Sequence, residues 1–286
     1  MKKKREQNRA PGLLNICIQR KSAFIPGLII LLVILMALLG PLVTGCSETG
    51  QDLLQRLMPP GGDHLFGTDE LGRDVFTRML YGTRASLLIA ILPTALAVAV
   101  GAAVGVCAAQ FGGAADFILM RFSDVMLSIP GMLFAMVVLY TMGGSLTSVL
   151  VSIMLIEWGG IARVARSSAL RIMESEFVLA AVSTGAGRLT VMLKHIIPNL
   201  IPTLIVLFTL NIPASILSES SLSFLGIGIQ PPQVSLGLMA GGSRQYLFQM
   251  PWLALAPAGM ILVLVLSFNF LGDAMRDILD PTRKEV

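Results

Sequence analysis

Few side chains in this sequence sit where they could do chemistry. Glu157, followed by Trp158-Gly159-Gly160, interrupts an otherwise uncharged stretch. Asn211 and Asp124 lie in or beside similar stretches. A polar group inside an apolar run is costly and marks a transport path or relay by default; its plain alternative is a helix–helix hydrogen bond or an interfacial position. Other chemistry fails on inventory. Cys17, Cys46 and Cys107 are far apart with no CxxC spacing, and His64 and His195 are the only histidines, so no metal-ligand cluster is expected. There is no GxxxxGK[ST], HExxH or GxSxG, which argues against ATP binding by a P-loop and against protease or hydrolase chemistry.

The elements that must position these residues follow from the charges. The chain has 286 residues, 55% hydrophobic and 13% charged, against about 25% charged in soluble domains. That excludes disorder, a collagen-like fibre and a disulfide scaffold, and argues against an ordinary cytosolic enzyme. Ionisable residues are absent from Ser22–Ser47, Ala85–Ala115, Val125–Ile156, His195–Ser218, Ser220–Ser243 and Gln245–Gly272. About 20 apolar residues cross a hydrocarbon core of about 30 Å. The predicted fold class is therefore all-α integral membrane protein with six transmembrane helices: Phe24–Val43, Ala85–Gln110, Phe117–Met142, Ser145–Ala165, Leu200–Leu217 and Trp252–Leu271. Ser220–Ser243 carries Gly226, Gly228, Pro231, Pro232, Gly237, Gly241 and Gly242. It predicts irregular backbone, which must lie against protein, in a cavity or outside.

Six spans put both termini on one side. If that side is the cytoplasm, the inside segments hold sixteen Lys and Arg and the outside ones five, Arg56, Arg73, Arg78, Arg84 and Arg244. This distribution fits cytoplasmic termini, and it places His64 and His195 on opposite sides. The four Arg of the first outside loop run against the rule, and Glu48, Asp52, Asp63, Asp69, Glu70 and Asp74 are at hand to pair with them. The net charge of +4 accordingly reads as an orientation signal; no basic stripe interleaved with aromatics points to nucleic acid. Val43-Thr44-Gly45-Cys46 looks like a lipoprotein cleavage box, but the preceding apolar run of about 20 residues is too long for a cleaved signal.

Smaller features follow from spacing. Gly101 and Gly105 form a GxxxG pair that brings helices together. Asp69, Arg73, Asp74 and Arg78 have the spacing of a charge-paired surface helix. Gly272 loosens the exit of the last span, and Asp280-Pro281 stops any continuation.

The loop between spans four and five carries an amphipathic segment, Glu174 to Gly187, acidic at its start, where a helix dipole favours it. Ala180 and Ala181 leave its surface open to close approach, and Gly185 and Gly187 allow a sharp turn. A second short helix climbs through Lys194 to Pro198 and the membrane. Such an element can insert into a groove on another protein or rest on the bilayer. The Ala-Ala pair, the Gly and the Ile197-Pro198 step resemble the cytoplasmic signature loop of ABC importer permeases, with Leu179 where that pattern has an acid. Gly67–Arg78, Ser218–Pro232 and Phe268–Pro281 together resemble the C-type permease subunit of dipeptide, oligopeptide and nickel importers, with Leu236 where that family has Trp. The resemblance spans residues 24–281.

The resemblance implies a type I ABC importer permease fold. A cytoplasmic tail (1–21) would precede the first span with its external loop (22–82), then the permease domain (83–273) with the coupling loop 166–198, and a cytoplasmic tail (274–286). It implies no cofactor in this chain; ATP and Mg would be bound by two cytoplasmic ATPase subunits. The other partners would be a second related permease subunit, an extracytoplasmic solute-binding protein and the lipid bilayer of a bacterial inner membrane. Glu176, Ala180, Ala181, Gly185, Gly187 and Pro198 would couple the ATPase to the spans by alternating access. Glu157 and Asn211 would line the path, and Gln230, Pro231 and Pro232 would make external loop contacts. Peptide cargo comes first and nickel or a metal chelate second. The alternative class is a secondary transporter or channel without an ATPase.

Overall fold

The computed structural model describes residues 21–44 and 47–279. The basic residues ahead of Lys21, Cys17, the Gly45-Cys46 half of the lipoprotein-like box, and Asp280-Pro281 with Arg283 and Lys284 lie outside the described residues. Regular structure among the described residues is helical, apart from one isolated antiparallel bridge between Thr68 and Asp74. That is what a bilayer demands, since a helix satisfies its own backbone groups where no water can.

Helix α1 (Lys21–Thr44) buries Ala23, Ile30, Val33 and Ala37 along one stripe and leaves Leu28, Leu31, Leu35 and Leu39 exposed, the pattern of a helix held on one side and wetted by lipid on the other. Helix α2 (Val75–Phe111) has 37 residues. At 1.5 Å per residue it is about 55 Å long, well beyond a hydrocarbon core of about 30 Å. It starts ten residues ahead of the uncharged run because the Asp74 carboxylate caps it, accepting from the Thr77 N–H at 2.7 Å.

The predicted third span, Phe117–Met142, is two helices, α3 (Gly113–Ser128) and α4 (Gly131–Met142), bent by 88°. Ile129 is extended at φ −84°, ψ 127°, the conformation that the following Pro130 imposes on its predecessor. Among the described residues five continuous helices are long and apolar enough to cross a membrane, and the number rises to six when this bent pair is counted as one span.

Helix α5 (Leu146–Met173) packs along α2. A Cβ added at Gly101 would fall 2.8 Å from the Trp158 carbonyl oxygen and from the Ile161 side chain, so this pair of glycines does seat two helices against each other. Next come α6 (Glu176–Ser183), α7 (Arg188–Val191), a π-helical turn (Met192–Ile196) and α8 (Ile197–Phe224). Residues 188–224 run as one span without a break at Pro198, and Pro202 and Pro213 lie inside α8.

The irregular stretch predicted over Ser220–Ser243 begins only at Leu225. It contains α9 (Leu236–Gly242), whose Leu236, Gly237 and Met239 are buried against protein. Helix α10 (Trp252–Leu279) then passes straight through Gly272, which is a packing site against Leu210 rather than a loosened exit.

Ala23 clusters with Ala274 and Ile278, so the start of α1 and the close of α10 share one end, the terminal end. The opposite, loop end joins residues 47–74 to residues 225–251, for instance through Gln245 Nε2 donating to Glu70 at 3.2 Å.

Candidate functional site

At the terminal end, α6 is an eight-residue helix held by few contacts. Val178 is buried among Val106, Ala165, Ala169, Val191, Ile196 and Leu200. The Phe177 ring lies 6.3 Å from the His195 ring. Everything else on α6 faces out: Phe177, Leu179 and Val182 are about half exposed, Glu176 and Ala180 are exposed, and Ala181 is half-buried. Glu176 sits in the first turn, where the helix dipole favours its negative charge. The helix ends in a Schellman cap, with Gly185 N–H donating to Val182 O at 2.9 Å and Ala186 N–H to Ala181 O at 3.0 Å. Gly185 has φ +89°, a conformation that only glycine adopts without cost. Gly187 has an ordinary φ of −69° and starts α7. Pro198 is exposed near the start of α8.

Mid-bundle, the Glu157 carboxylate on α5 is half-buried and accepts from two hydroxyls on other helices. Thr94 Oγ1 of α2 donates at 3.1 Å and Ser215 Oγ of α8 at 2.5 Å. The two hydroxyl oxygens are 2.6 Å apart. One carboxylate therefore ties three helices at a point where sequence alone offered only an isolated acid. Asn211 lies one turn before Ser215 on α8, but its amide donates to the Leu207 carbonyl at 2.7 Å and is spent within its own helix. Asp124 joins neither. It pairs with Arg163 at 2.5 Å and Arg121 at 3.7 Å towards the terminal end, and below it Asp116 takes Arg166 with both oxygens at 2.5 Å.

At the loop end, the acids and arginines pair as expected by charge but not in a helix. Residues 67–74 form a turn, in which Asp69 takes Arg73 at 2.7 Å and Arg78 at 3.6 Å. Arg78 also donates to the Glu48 carbonyl at 3.3 Å, and His64 is 2.9 Å from Asp74. Buried in this way, Arg78 is a structural cation and does not count against the orientation rule. Asp69, Arg73, Arg78, Pro231, Met239 and Tyr246 line a cleft of about 240 Å³. Gln230 folds back on its own loop, donating to Gly226 O at 3.0 Å and Gly228 O at 3.2 Å, and Pro232 is exposed.

One group was overlooked in the sequence. Glu219 is 1% exposed, the only charged residue of α8, and surrounded by serine hydroxyls. Its signal was present: it alone separates two long uncharged runs.

Residues 97–285 match the family described as binding-protein-dependent transport system inner membrane component. The chain is 39% identical over 254 residues to the dipeptide transport system permease protein DppC of Bacillus subtilis, covering 88% of this chain and 79% of that protein. Against the oligopeptide transport system permease protein OppC of the same organism it is 35% identical over 261 residues, 91% of this chain and 86% of that one. The probable D,D-dipeptide transport system permease protein DdpC of Escherichia coli is 37% identical over 253 residues, 88% of this chain and 85% of that one. Among solved structures, the MetNI methionine ABC transporter in an inward-facing form superposes with a TM-score of 0.57 over 71% of this chain and 96% of that one. At 16% identity that likeness concerns the fold, a type I importer permease. The chain belongs to the binding-protein-dependent transport system inner membrane component family, as a multi-pass permease subunit of the kind that includes DppC and OppC.

Proposed function

We propose that this permease passes di- and oligopeptides across the bacterial inner membrane by alternating access, driven by ATP hydrolysis in partner chains. The names of its relatives support the cargo class. The terminal end, including residues 1–21 and 274–286, faces the cytoplasm; the excess of Lys and Arg on the segments at that end supports this. Residues 83–273 form the permease unit, and residues 166–198 reach the ATPase. A second, related permease subunit completes the path, two ATPase subunits bind ATP and Mg, and a solute-binding protein delivers cargo to the loop end, where Gln230, Pro231 and Pro232 make contact. This chain itself needs no cofactor.

The observation that carries the reading is α6. An exposed apolar pair, Leu179 and Val182, one turn apart, stands on a helix tied to the bundle through Val178, with Phe177 half exposed on another side beside His195. Exposed apolar clusters of this kind mark contact surfaces. Glu176, Ala180 and Ala181 lie on the same helix, Gly185 ends it, and Gly187 and Pro198 connect it to α8. A push on α6 is therefore delivered to α8, which carries Ser215 and Asn211, and so to Glu157. Glu157 is assigned to the path because it alone in that network is partly open, with Asn211 beside it as a second wall residue.

The test is a cysteine pair. Ala180→Cys in this chain and single cysteines in the co-expressed ATPase should cross-link in membranes, with a yield that changes with nucleotide. Absence of any cross-link over a scan of the ATPase surface overturns the assignment.

A further inference from the structure

Glu219 has no role in that reading, yet it is the most enclosed ionisable group described. It lies at the loop end of α8. Its Oε1 accepts from Ser223 at 2.8 Å. Its Oε2 accepts from Ser86 of α2 at 3.4 Å, with Ser220 at 3.5 Å. The Ser235 hydroxyl lies beside the same carboxyl. Three of these serines have a second bond. Ser86 Oγ accepts the Leu236 N–H at 3.3 Å, Ser223 Oγ the Ile229 N–H at 3.3 Å, and Ser235 Oγ the Leu238 N–H at 3.2 Å.

These bonds share one direction. A backbone N–H of the 225–238 segment donates to a serine, and the serine donates its single hydrogen to the carboxyl. A hydroxyl has one hydrogen to give, so a serine that accepts from the loop and donates inward needs an acceptor at the centre. A carboxylate offers about four acceptor sites and no donor. An apolar residue would leave the hydroxyls without an acceptor in a site that water does not reach, which is expensive. The elements tied in this way, α8 and α9, are also two walls of an open groove lined by Met132, Leu217, Ser221, Phe224, Gly237 and Ala240.

We infer that Glu219 is a positioning residue for import: through the Ser86 and Ser223 relays it fixes the 225–238 segment and α9 to α8 and α2, so that the outer walls of the groove move as one body when access alternates. The inference rests on the importer reading for the meaning of that motion, but not for the fixing itself.

The experiment uses membranes from cells expressing the whole transport system, with Ala240→Cys as reporter in a cysteine-free chain and a membrane-impermeant maleimide added outside. Glu219→Ala should raise the labelling rate about tenfold or more and lower peptide uptake per ATP hydrolysed. Glu219→Gln, which keeps one acceptor oxygen but presents an amide donor to serines that must also donate, should fall between. If Glu219→Ala does not accumulate, Ser86→Ala removes a single relay and should raise labelling about threefold. Labelling unchanged from the Ala240→Cys parent in Glu219→Ala or Ser86→Ala, or Glu219→Ala with uptake equal to the parent, overturns the inference. Labelling requires neither ATP nor cargo, so loosened labelling without ATP-dependent uptake in the parent would instead count against the importer reading alone.

Discussion

Glu157 on α5 and Ser215 on α8 meet at 2.5 Å, with Thr94 of α2 closing a three-helix contact. These helices come from distant parts of the chain, and α8 continues without interruption from the coupling loop. The contact is therefore where displacement of α8 must either break a hydrogen bond or carry α2 and α5 along. Interhelical hydrogen bonds in membranes average well under 1 kcal/mol and reach about 1.7 kcal/mol, small enough to be remade during a transport cycle. Ser215→Ala should lower stability in detergent by about 1 kcal/mol, measured by thermal aggregation. Thr94→Val combined with it should add less than its separate effect, since both serve one carboxylate. Strict additivity would mean that the three groups do not act together.

The seam between α2 and α5 depends on backbone approach. Gly101→Leu would drive a side chain into the Trp158 carbonyl and Ile161. Loss of several kcal/mol is expected, on the scale of severe overpacking, and the chain should fail to elute as a monodisperse peak in size-exclusion chromatography. Gly160→Ala, whose Cβ meets nothing within 4 Å, should be tolerated. A monodisperse Gly101→Leu protein would contradict the packing.

Coupling separates from folding at Gly185. A side chain there is strained at φ +89° by about 1 kcal/mol, yet nothing occupies the space around it. Gly185→Arg should therefore leave the permease folded while uncoupling ATP hydrolysis from uptake. Ala181→Glu should act likewise by burying a charge in the contact. Normal uptake by either variant would remove α6 from the coupling role.

The bidentate Asp116–Arg166 pair joins α3 to α5 beyond the bend at Pro130. Partly exposed ion pairs contribute little in general, but bidentate geometry is the favourable case. Asp116→Ala should lower the melting temperature modestly, and the exchanged pair Asp116→Arg with Arg166→Asp should recover part of the loss. No recovery would mean that the charges act separately.

The spans could be read from charge spacing because a bilayer penalises every ionised group that is not enclosed, so Lys, Arg, Asp and Glu mark the boundaries. That logic misplaced the start of α2: Arg84 bounds the uncharged run, but the helix continues past it, with Arg84 exposed and Arg78 enclosed by Asp69 and the Glu48 carbonyl, back to the Asp74 cap. It also missed the bend in the third span. Pro130 lies between two apolar helices, and hydropathy does not register a turn there. Glu157 stood out as an isolated acid, whereas its partners did not, because Thr94 and Ser215 have no distinguishing spacing. Glu219 lies within the Ser218–Pro232 motif but does not stand out as a centre for the same reason: the serines that bond it come from α2 and α8. Helical periodicity could suggest α6 as an amphipathic element, but only packing identifies Val178 as the residue that anchors it.

The most direct measurement is peptide uptake into inverted or reconstituted vesicles carrying the complete transport system, with ATP and the ion gradient varied separately. The account predicts uptake that stops when ATP is removed with the gradient held, and persists with ATP when the gradient is collapsed. Uptake that follows the gradient and ignores ATP, with no ATPase subunit co-purifying, would contradict it.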